Sequence, residues 1–246
     1  MRLFAFLLTL STASAFAEPK PAIVLVHGAF ADASSWSKII PLLEKDGYYV
    51  TAVQIPLTSL PDDVATAKRV IDAQKGPVVV VGHSYAGAVI TDAAAGNANV
   101  KSLVYVNAFA PDAGETIAEN GSKFPQPPLN STLIPDTAGF LYVDRAKVHD
   151  VFCKDVPAAE ARIIAATQKP LNKSVFDVKL TNAAWKTIPT WYIVGKEDRA
   201  INPDLERFYA KRMNAKTSEV KSSHVAFLSH PDVVAKLIET AAAAAK

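Results

Sequence analysis

Strand-like runs alternate along the chain with segments of helical periodicity, and this alternation restricts the fold more than any other feature. The strand-like runs are 23–26, 49–53, 78–81, 103–106, 191–194 and 217–220, and the first five are apolar on both faces and do not alternate. Helical spacing is found at 35–45, 62–74, 85–95, 203–212 and 231–245. Strands that are apolar on both faces and alternate with helices are typical of a parallel sheet covered on each side. The pattern predicts a three-layer α/β fold with a sheet of about six mainly parallel strands.

The interval between the fourth and fifth strand-like runs departs from this alternation. Residues 109–135 are rich in Pro, Gly and Asn and are predicted to form loop, whereas 143–152 and 158–168 have helical spacing. An insertion at the carboxyl end of a strand lies beside the edge where ligands of α/β sheets bind. We therefore expect a helical cap, inserted after the fourth strand at about residues 110–187, that covers a pocket. The alternative is an insertion without a role in binding.

The first 17 residues have the features of a secretory signal peptide. Met1-Arg2 gives a positive start, LFAFLLTL (3–10) is an apolar run, and Ala15-Phe16-Ala17 matches an A-x-A cleavage site. The run is far shorter than the about 20 apolar residues that a membrane span needs. We expect cleavage after Ala17, a mature domain at 18–246 and a periplasmic or secreted location. A buried N-terminal helix is the alternative.

Composition excludes several functional classes. The 26 Lys and Arg residues nearly balance the 24 Asp and Glu residues, and no basic block stands out. Nucleic-acid binding through a basic patch is therefore not expected. A single cysteine, Cys153, excludes an intramolecular disulfide framework and a multi-cysteine metal site. The five histidines form no ligand-spaced cluster and no phosphate-binding glycine loop is present, so neither a metal nor a nucleotide cofactor is predicted.

The motif GHSYAG (82–87) follows directly after the strand-like run VVVV and begins a helix of small residues. A strand–Ser–helix turn of this kind projects the serine hydroxyl from the carboxyl edge of the sheet, which makes Ser84 a candidate nucleophile. The usual pattern is G-x-S-x-G, and here Ala86 stands where the last glycine is expected. An ordinary turn in which Ser84 caps the helix is the alternative.

The segment HGAF (27–30) follows the first strand-like run and is expected at the same edge as Ser84. Gly28 allows a turn that brings a backbone N–H towards the nucleophile. The N–H groups of Ala29 and Tyr85 are therefore predicted to form a two-donor oxyanion hole. We interpret His27 as a structural residue that supports this loop.

Two candidates for the partners of Ser84 follow the last two strands. Asp198 lies in the loop after 191–194 and His224 in the loop after 217–220, so both are expected at the edge with Ser84. The serine needs His224 as a base, and His224 needs a carboxylate to fix its tautomer. Chain order Ser84, Asp198, His224 matches one hydrolase architecture and neither of the two serine-protease folds. The alternatives are Glu197 and Asp112 for the acid and His230 for the base, while His149 is interpreted as a packing residue of the cap.

These motifs together resemble the α/β-hydrolase superfamily. They are HGAF (27–30), GHSYAG (82–87), GKEDRAINP (195–203) and SSHVAFLSHP (222–231). The chain looks most similar to the small esterase-like branch that contains plant methylesterases and hydroxynitrile lyases, from Ile23 to Ala242. The resemblance implies Ser84 as nucleophile, His224 as base, Asp198 as acid, and Ala29 and Tyr85 as oxyanion donors. The chain departs from the superfamily in one respect: only a few residues precede the first strand after signal cleavage, so we expect the initial antiparallel hairpin of many members to be absent.

The resemblance predicts a hydrolase. Hydroxynitrile lyases of this branch have a threonine after the first-strand histidine and a lysine after the catalytic histidine, where this chain has Gly28 and Val225. We expect a carboxylesterase that acts on a small or medium ester. The alternatives are a lactonase, a cofactor-free perhydrolase or haloperoxidase, and a non-catalytic ligand-binding protein. The predicted pocket walls are apolar or aromatic, namely Phe30, Tyr85, Phe109, Phe140 and Val225.

Overall fold

The computed structural model describes residues 20–245, so the predicted signal peptide at 1–17 lies outside the described residues. The strands are β1 (Ala22–Val26), β2 (Val50–Val53), β3 (Val78–His83), β4 (Val100–Val106), β5 (Leu133–Pro135), β6 (Phe140–Val143), β7 (Leu171–Asn172), β8 (Thr190–Gly195) and β9 (Lys216–Val220). The α-helices are α1 (Ile40–Lys45), α2 (Leu60–Asp72), α3 (Ala86–Ala93), α4 (Ile117–Gly121), α5 (Val148–Val151), α6 (Ala158–Thr167), α7 (Pro203–Arg212), α8 (Ala226–Ser229) and α9 (Pro231–Ala243). Short 3-10 helices cover Ala33–Lys38, Pro128–Thr132, Lys173–Asp177 and Ala184–Lys186.

Six strands form one parallel sheet in the order β2-β1-β3-β4-β8-β9. The chain runs from β1 outwards to β2, returns to β3 on the other side of β1, and then continues to the far edge. Ligands of such sheets bind at the carboxyl ends of the strands, next to the position where the order reverses. The three-layer α/β fold with a six-stranded, parallel sheet is therefore confirmed.

The core follows from the apolar strands. β1 and β3 are buried along their whole length, as expected for parallel strands with helices on both faces. Helix α2 packs against α3, whereas α1 packs against α9. The edge strand β9 differs, because Lys216, Thr217 and Glu219 are exposed on it. This difference explains why its apolar signal is the weakest of the six.

The sequence predicts one continuous helix at 35–45, and this prediction is wrong. The structure has a 3-10 helix at Ala33–Lys38 and a separate α1. Pro41 lacks the N–H that a continuous helix would use to bond the preceding turn, so the helix is interrupted just before it. Asp32 caps the first of the two helices by accepting from Ser34 N.

The interval between β4 and β8 contains more strand than the sequence predicts. Strands β5, β6 and β7 form a small antiparallel sheet, with Ile134 opposite Tyr142 and Leu141 opposite Leu171. The predicted loop at 109–135 contains α4, which a Thr116–Glu119 capping box begins. The predicted helix at 143–152 is wrong at its start, because FLYV (140–143) pairs as β6 and only α5 is helical. Helix α6 is confirmed.

The carboxyl ends of five strands bring their loops to one edge of the sheet. His27 follows β1, Ser84 follows β3, Asn107 follows β4, Asp198 follows β8 and His224 follows β9. Residues far apart in the sequence therefore meet at a single place, which the segments between β4 and β8 cover.

Candidate active site

Ser84 lies in a sharp turn between β3 and α3. Its backbone has a φ of +54°, a left-handed conformation that costs energy for a residue with a side chain. Backbone segments approach each other closely around this turn. A Cβ on Gly87 would lie 2.2 Å from Phe109 O, and a Cβ on Gly82 would lie 2.8 Å from Ala86 O. The methyl group of Ala86 fits within this packing, where it is fully buried. The departure from G-x-S-x-G therefore leaves the turn intact.

Asp198 and His224 form a buried hydrogen-bonded pair. The Nδ1 atom of His224 lies 2.6 Å from Asp198 Oδ2, and neither side chain has appreciable exposure. The other carboxylate oxygen, Oδ1, accepts from the backbone N–H groups of Ala200 at 2.7 Å and Ile201 at 2.9 Å. This arrangement fixes the orientation of the carboxylate and directs it at the imidazole.

The environment of Asp198 favours its charged form. Burial pushes the pKa of Asp198 upwards, but the adjacent His224 and hydrogen bonds from His224, Glu206 and Ile201 N outweigh burial and hold that pKa below its usual value. Asp198 is therefore a carboxylate at neutral pH. A carboxylate at Nδ1 leaves Nε2 of His224 as the nitrogen available to a serine hydroxyl.

Ser84 and His224 line the same small cavity, of about 50 Å³, with Ala29 and Tyr85. The hydrogen bonds of residues 20–245 include the His224–Asp198 pair but no bond from Ser84 Oγ to His224 Nε2. Catalytic hydrogen bonds often tighten only when substrate is present, so shared lining of one cavity is the relevant observation.

Two of the residues that line this cavity, Ala29 and Tyr85, are the predicted oxyanion donors. Within the described chain, the N–H groups of Ala29 and Tyr85 donate to no backbone carbonyl in a turn or loop. Gly28 makes the approach of Ala29 possible, because a Cβ at position 28 would lie 2.7 Å from Ser84 Cβ. The position thus has no room for a threonine side chain.

His27 supports the first of these amides through its ring. Its Nε2 accepts from Ile55 N at 3.2 Å, and its Nδ1 donates to Gly28 O at 2.9 Å. Burial, which outweighs these hydrogen bonds, lowers the pKa of His27 to about 4. The ring is therefore neutral at pH 7, in keeping with its interpretation as a structural residue.

A buried network holds Tyr85. Its hydroxyl donates to Asp63 Oδ2 at 2.8 Å, while Asp63 Oδ1 accepts from Leu57 N at 2.7 Å. Burial raises the pKa of Asp63 to about 6, although these hydrogen bonds and Lys169 oppose the increase. The side chain of Tyr85, a predicted oxyanion donor, is therefore anchored to α2.

His83 is a residue of the candidate site that the sequence did not single out. Its Nε2 donates to the carbonyl of His224 at 2.9 Å, and the two rings lie 4.7 Å apart. Burial first, and the neighbouring His224 second, hold the pKa of His83 well below its usual value, so the ring is neutral. The residue before the candidate nucleophile thus fixes the backbone of the candidate base. Its position beside Ser84 in the motif was the available signal.

The alternative acids and base lie in other interactions. Asp112 forms an ion pair with Lys186 at 2.6 Å, and Glu197 lies 3.7 Å from Lys221 at the surface. His230 contacts Ser229. His149, in the cap, lies 3.0 Å from Val156 O, which agrees with a packing role.

A larger cavity of about 280 Å³ lies next to the Ser84 cavity. The two share six lining residues, namely Phe109, Asn130, Leu133, Phe176, Ala200 and Ile201. Its walls come mainly from the interval between β4 and β8 and are predominantly apolar. The sequence did not single out its cap residues, because their strand and turn positions were not predicted.

The structure divides the predicted pocket residues. Phe30, Tyr85 and Phe109 line the Ser84 cavity. Val225 lines a separate cavity that it shares with Phe30 and α6. Phe140 lines neither of these cavities nor the larger cavity of about 280 Å³. Neighbouring side chains on a strand point to opposite faces, so Leu141 on β6 lines the larger cavity and Phe140 does not. The structure therefore does not place Phe140 or Val225 among the walls of the Ser84 cavity.

One group of side chains in the described chain offers three possible metal-ligand atoms within 4.8 Å, from Asp198, Glu206 and His224. His224 Nδ1 and Asp198 Oδ2 are only 2.6 Å apart. Ligands held about 2.1 Å from a zinc ion at tetrahedral angles lie farther from each other than this. The donor set therefore fits a directly hydrogen-bonded cluster and does not fit a metal centre.

The profile of the alpha/beta hydrolase family matches residues 23–237, and the chain belongs to this family. Three curated relatives are similar over most of their length. An alpha/beta hydrolase of Aspergillus novofumigatus is 29% identical, covering 91% of this chain and 97% of the relative. Methylesterase 2 of Arabidopsis thaliana is 28% identical (77% and 82%), and the alpha-hydroxynitrile lyase of that plant is 26% identical (87% and 94%).

Solved structures agree on the fold. A pyrethroid hydrolase from Sphingobium faniae JZ-2 has a TM-score of 0.76 at 21% identity, covering 91% of this chain and 97% of that one. Polyneuridine aldehyde esterase has a TM-score of 0.77 at 18% identity, with 90% and 98% covered. No helix among residues 20–245 combines the length and apolar character needed to cross a bilayer.

Proposed function

We propose that the protein hydrolyses a small or medium carboxylic ester through an acyl-enzyme on Ser84. One observation carries the proposal: Ser84, Ala29, Tyr85 and His224 line a single cavity, and His224 is hydrogen-bonded to the buried Asp198. The family and its esterase relatives support hydrolysis as the reaction class.

In the proposed first step, His224 Nε2 takes the proton of Ser84 Oγ, which attacks the ester carbonyl carbon. The carbonyl oxygen becomes negatively charged and accepts hydrogen bonds from Ala29 N and Tyr85 N. Asp198 stabilises the imidazolium that forms on His224. Collapse breaks the bond to the alcohol oxygen, which receives the proton from His224.

Water completes the cycle. His224 Nε2 takes a proton from a water molecule, whose oxygen attacks the acyl carbon on the same side of the site. The second oxyanion uses the same two amides, and the carboxylic acid leaves as Ser84 Oγ regains its proton. No metal or cofactor is needed for either half-reaction.

The apolar cavity next to the Ser84 cavity favours an ester with one apolar group. Its volume of about 280 Å³ is at the lower end of ligand pockets. Cyanohydrin cleavage is less well supported, because the buried Val225 follows His224 and brings no positive charge to the site. Export remains a second part of the proposal, testable by N-terminal sequencing of the exported protein, which should begin at Glu18.

Labelling with a fluorophosphonate probe tests the nucleophile. The wild type should be labelled and Ser84→Ala should not be, whereas Ser131→Ala, at an exposed serine of the cap, should be labelled like wild type. Hydrolysis of a p-nitrophenyl ester series should be lost in the same variant. Labelling that persists in Ser84→Ala would overturn the proposed nucleophile, and an unlabelled wild type would favour a ligand-binding role.

A further inference from the structure

Glu206 brings a second carboxyl group to the Asp198–His224 pair. It lies on α7, and its side chain is fully buried. One carboxyl oxygen, Oε2, accepts from Gly195 N at 2.9 Å, at the end of β8. The other, Oε1, lies 3.5 Å from Asn107 Nδ2. The carboxyl is therefore held at the sheet edge.

Asn107 connects the two carboxyl groups. Its Nδ2 also lies 3.3 Å from Asp198 Oδ2, the oxygen that bonds His224 Nδ1. Ligand atoms of Asp198, Glu206 and His224 all lie within 4.8 Å of one another. A Cβ on Gly195 would lie 2.2 Å from Asn107 Nδ2, so glycine at this position lets the cluster close.

The charges around Glu206 do not balance two carboxylates. The titratable groups that face it are Asp198 from the loop after β8, His224 from the loop after β9, and Tyr192 from β8. Within residues 20–245, no Lys or Arg forms an ion pair with it. Two adjacent buried carboxylates without a permanent cation are strongly unfavourable, so one of them must carry a proton.

The hydrogen bonds identify which carboxyl carries it. Asp198 accepts from His224 Nδ1 and from the amides of Ala200 and Ile201, which favours the charged form. Glu206 has one short backbone donor, from Gly195. Burial, followed by the charge of Asp198 and its hydrogen bond, raises the pKa of Glu206 well above its usual value.

We propose that Glu206 is a positioning residue whose protonated carboxyl donates a hydrogen bond to Asp198 and so holds Asp198 on His224. Nothing in the reaction requires Glu206 to contact substrate. The inference relies on the proposed function only for the roles of Asp198 and His224. The buried, neutral carboxyl itself is testable without any substrate.

Stability against pH tests the proton on Glu206. A carboxyl with a raised pKa in the folded state stabilises the fold fully below its usual pKa, and this contribution is lost as the pH rises towards the folded value. Glu206→Gln has no such loss. Between pH 5 and pH 8 its Tm should therefore gain at least about 3 °C relative to the wild type. The control is Glu219→Gln on the exposed strand β9. The Tm of this variant minus that of the wild type should not rise between pH 5 and pH 8. A flat difference for Glu206→Gln would overturn the proposal, even if no ester were turned over.

Kinetics test the positioning role. The amide of Glu206→Gln can donate to Asp198 and accept from Gly195 N, so its kcat should stay within about threefold and the acidic limb of its kcat/KM profile should not move. Glu206→Leu removes the donor, and its kcat should fall about tenfold or more with KM unchanged. If Glu206 were ionised, Glu206→Gln would remove a charge beside His224 and move the acidic limb down by about one pH unit or more, which would overturn the proposal.

Discussion

The turn that carries Ser84 and the cap that covers it differ in what fixes their shape. In the turn, backbone atoms touch, so that a single methyl group on Gly87 would lie 2.2 Å from a carbonyl oxygen. In the cap, a Cβ on Gly121 would meet no atom within 4 Å, and β6 is only partly buried. Close backbone packing thus holds the candidate chemistry, while replaceable side chains of the cap shape the larger cavity.

The largest difference between the two regions should be in activity. His224→Ala removes the candidate base and should lower kcat/KM for a p-nitrophenyl ester by about 10⁴-fold. His149→Ala removes a histidine from the cap and should change it by no more than about twofold. Steady-state kinetics of the two variants measure the contrast. Similar losses in both would show that the sheet edge has no special part in catalysis.

Stability should separate the regions next. Gly87→Ala forces a methyl group against backbone atoms and should lower the free energy of unfolding by about 3 kcal/mol. Gly121→Ala, in α4, should leave it unchanged or raise it by up to about 1 kcal/mol, because alanine favours a helix. Urea denaturation checks both values. Equal effects at the two positions would contradict the difference in packing.

A smaller effect is expected in substrate preference. Phe176→Ala enlarges both cavities at their junction and should shift the ratio of kcat/KM between bulky and small esters about tenfold towards the bulky one. Phe140→Ala removes an aromatic ring that lines neither cavity, and the ratio should stay constant. A preference that changes equally in both variants would mean that these cavities do not select the substrate.

The smallest effect should appear in the pH dependence of stability. Burial raises the pKa of Asp63 to about 6. The contribution of this raised pKa to the stability of the fold is therefore complete below pH 4 and is lost as the pH rises to 6. The Tm of Asp63→Asn minus that of the wild type should thus rise over this interval and be constant above it. The control is Asp72→Asn at an exposed carboxyl, where the hydrogen bond from Lys68 lowers the pKa, so the Tm difference of this variant should not rise over this interval. A flat difference for Asp63→Asn would disprove the raised pKa.

How far the sequence predicts this molecule depends on the region. The runs 23–26, 78–81 and 191–194 are apolar throughout and their loops follow directly, so the position of Ser84 and Asp198 at one edge could be inferred from strand order alone. His224 follows the less apolar β9 and was placed at the same edge by the same reasoning. Glu206 was missed because it lies in a helix beside the acidic Asp204, and the sequence does not distinguish a buried carboxyl from a solvated one there. Its burial depends on contacts with Asn107 and Gly195 that no local pattern encodes.

The cap was predicted less well for a related reason. Val143 begins a segment with helical spacing (143–152), and only the pairing of FLYV (140–143) with Leu133–Pro135 and Leu171–Asn172 makes these residues a strand. Such short strands depend on partners distant in the sequence. Leu141 and Phe176 could therefore be identified as cavity walls only from the structure. Phe30 and Phe109 lie next to the sheet edge and could be predicted from the sequence.

Detection of an acyl-enzyme tests the central claim most directly. The wild type is mixed with a p-nitrophenyl ester, quenched in acid within milliseconds to seconds, and examined by mass spectrometry of its peptides. We predict a burst of p-nitrophenol and an acyl group on the peptide that contains Ser84, with neither in Ser84→Ala. Turnover that leaves no acyl group on this peptide and persists in Ser84→Ala would contradict the proposed mechanism.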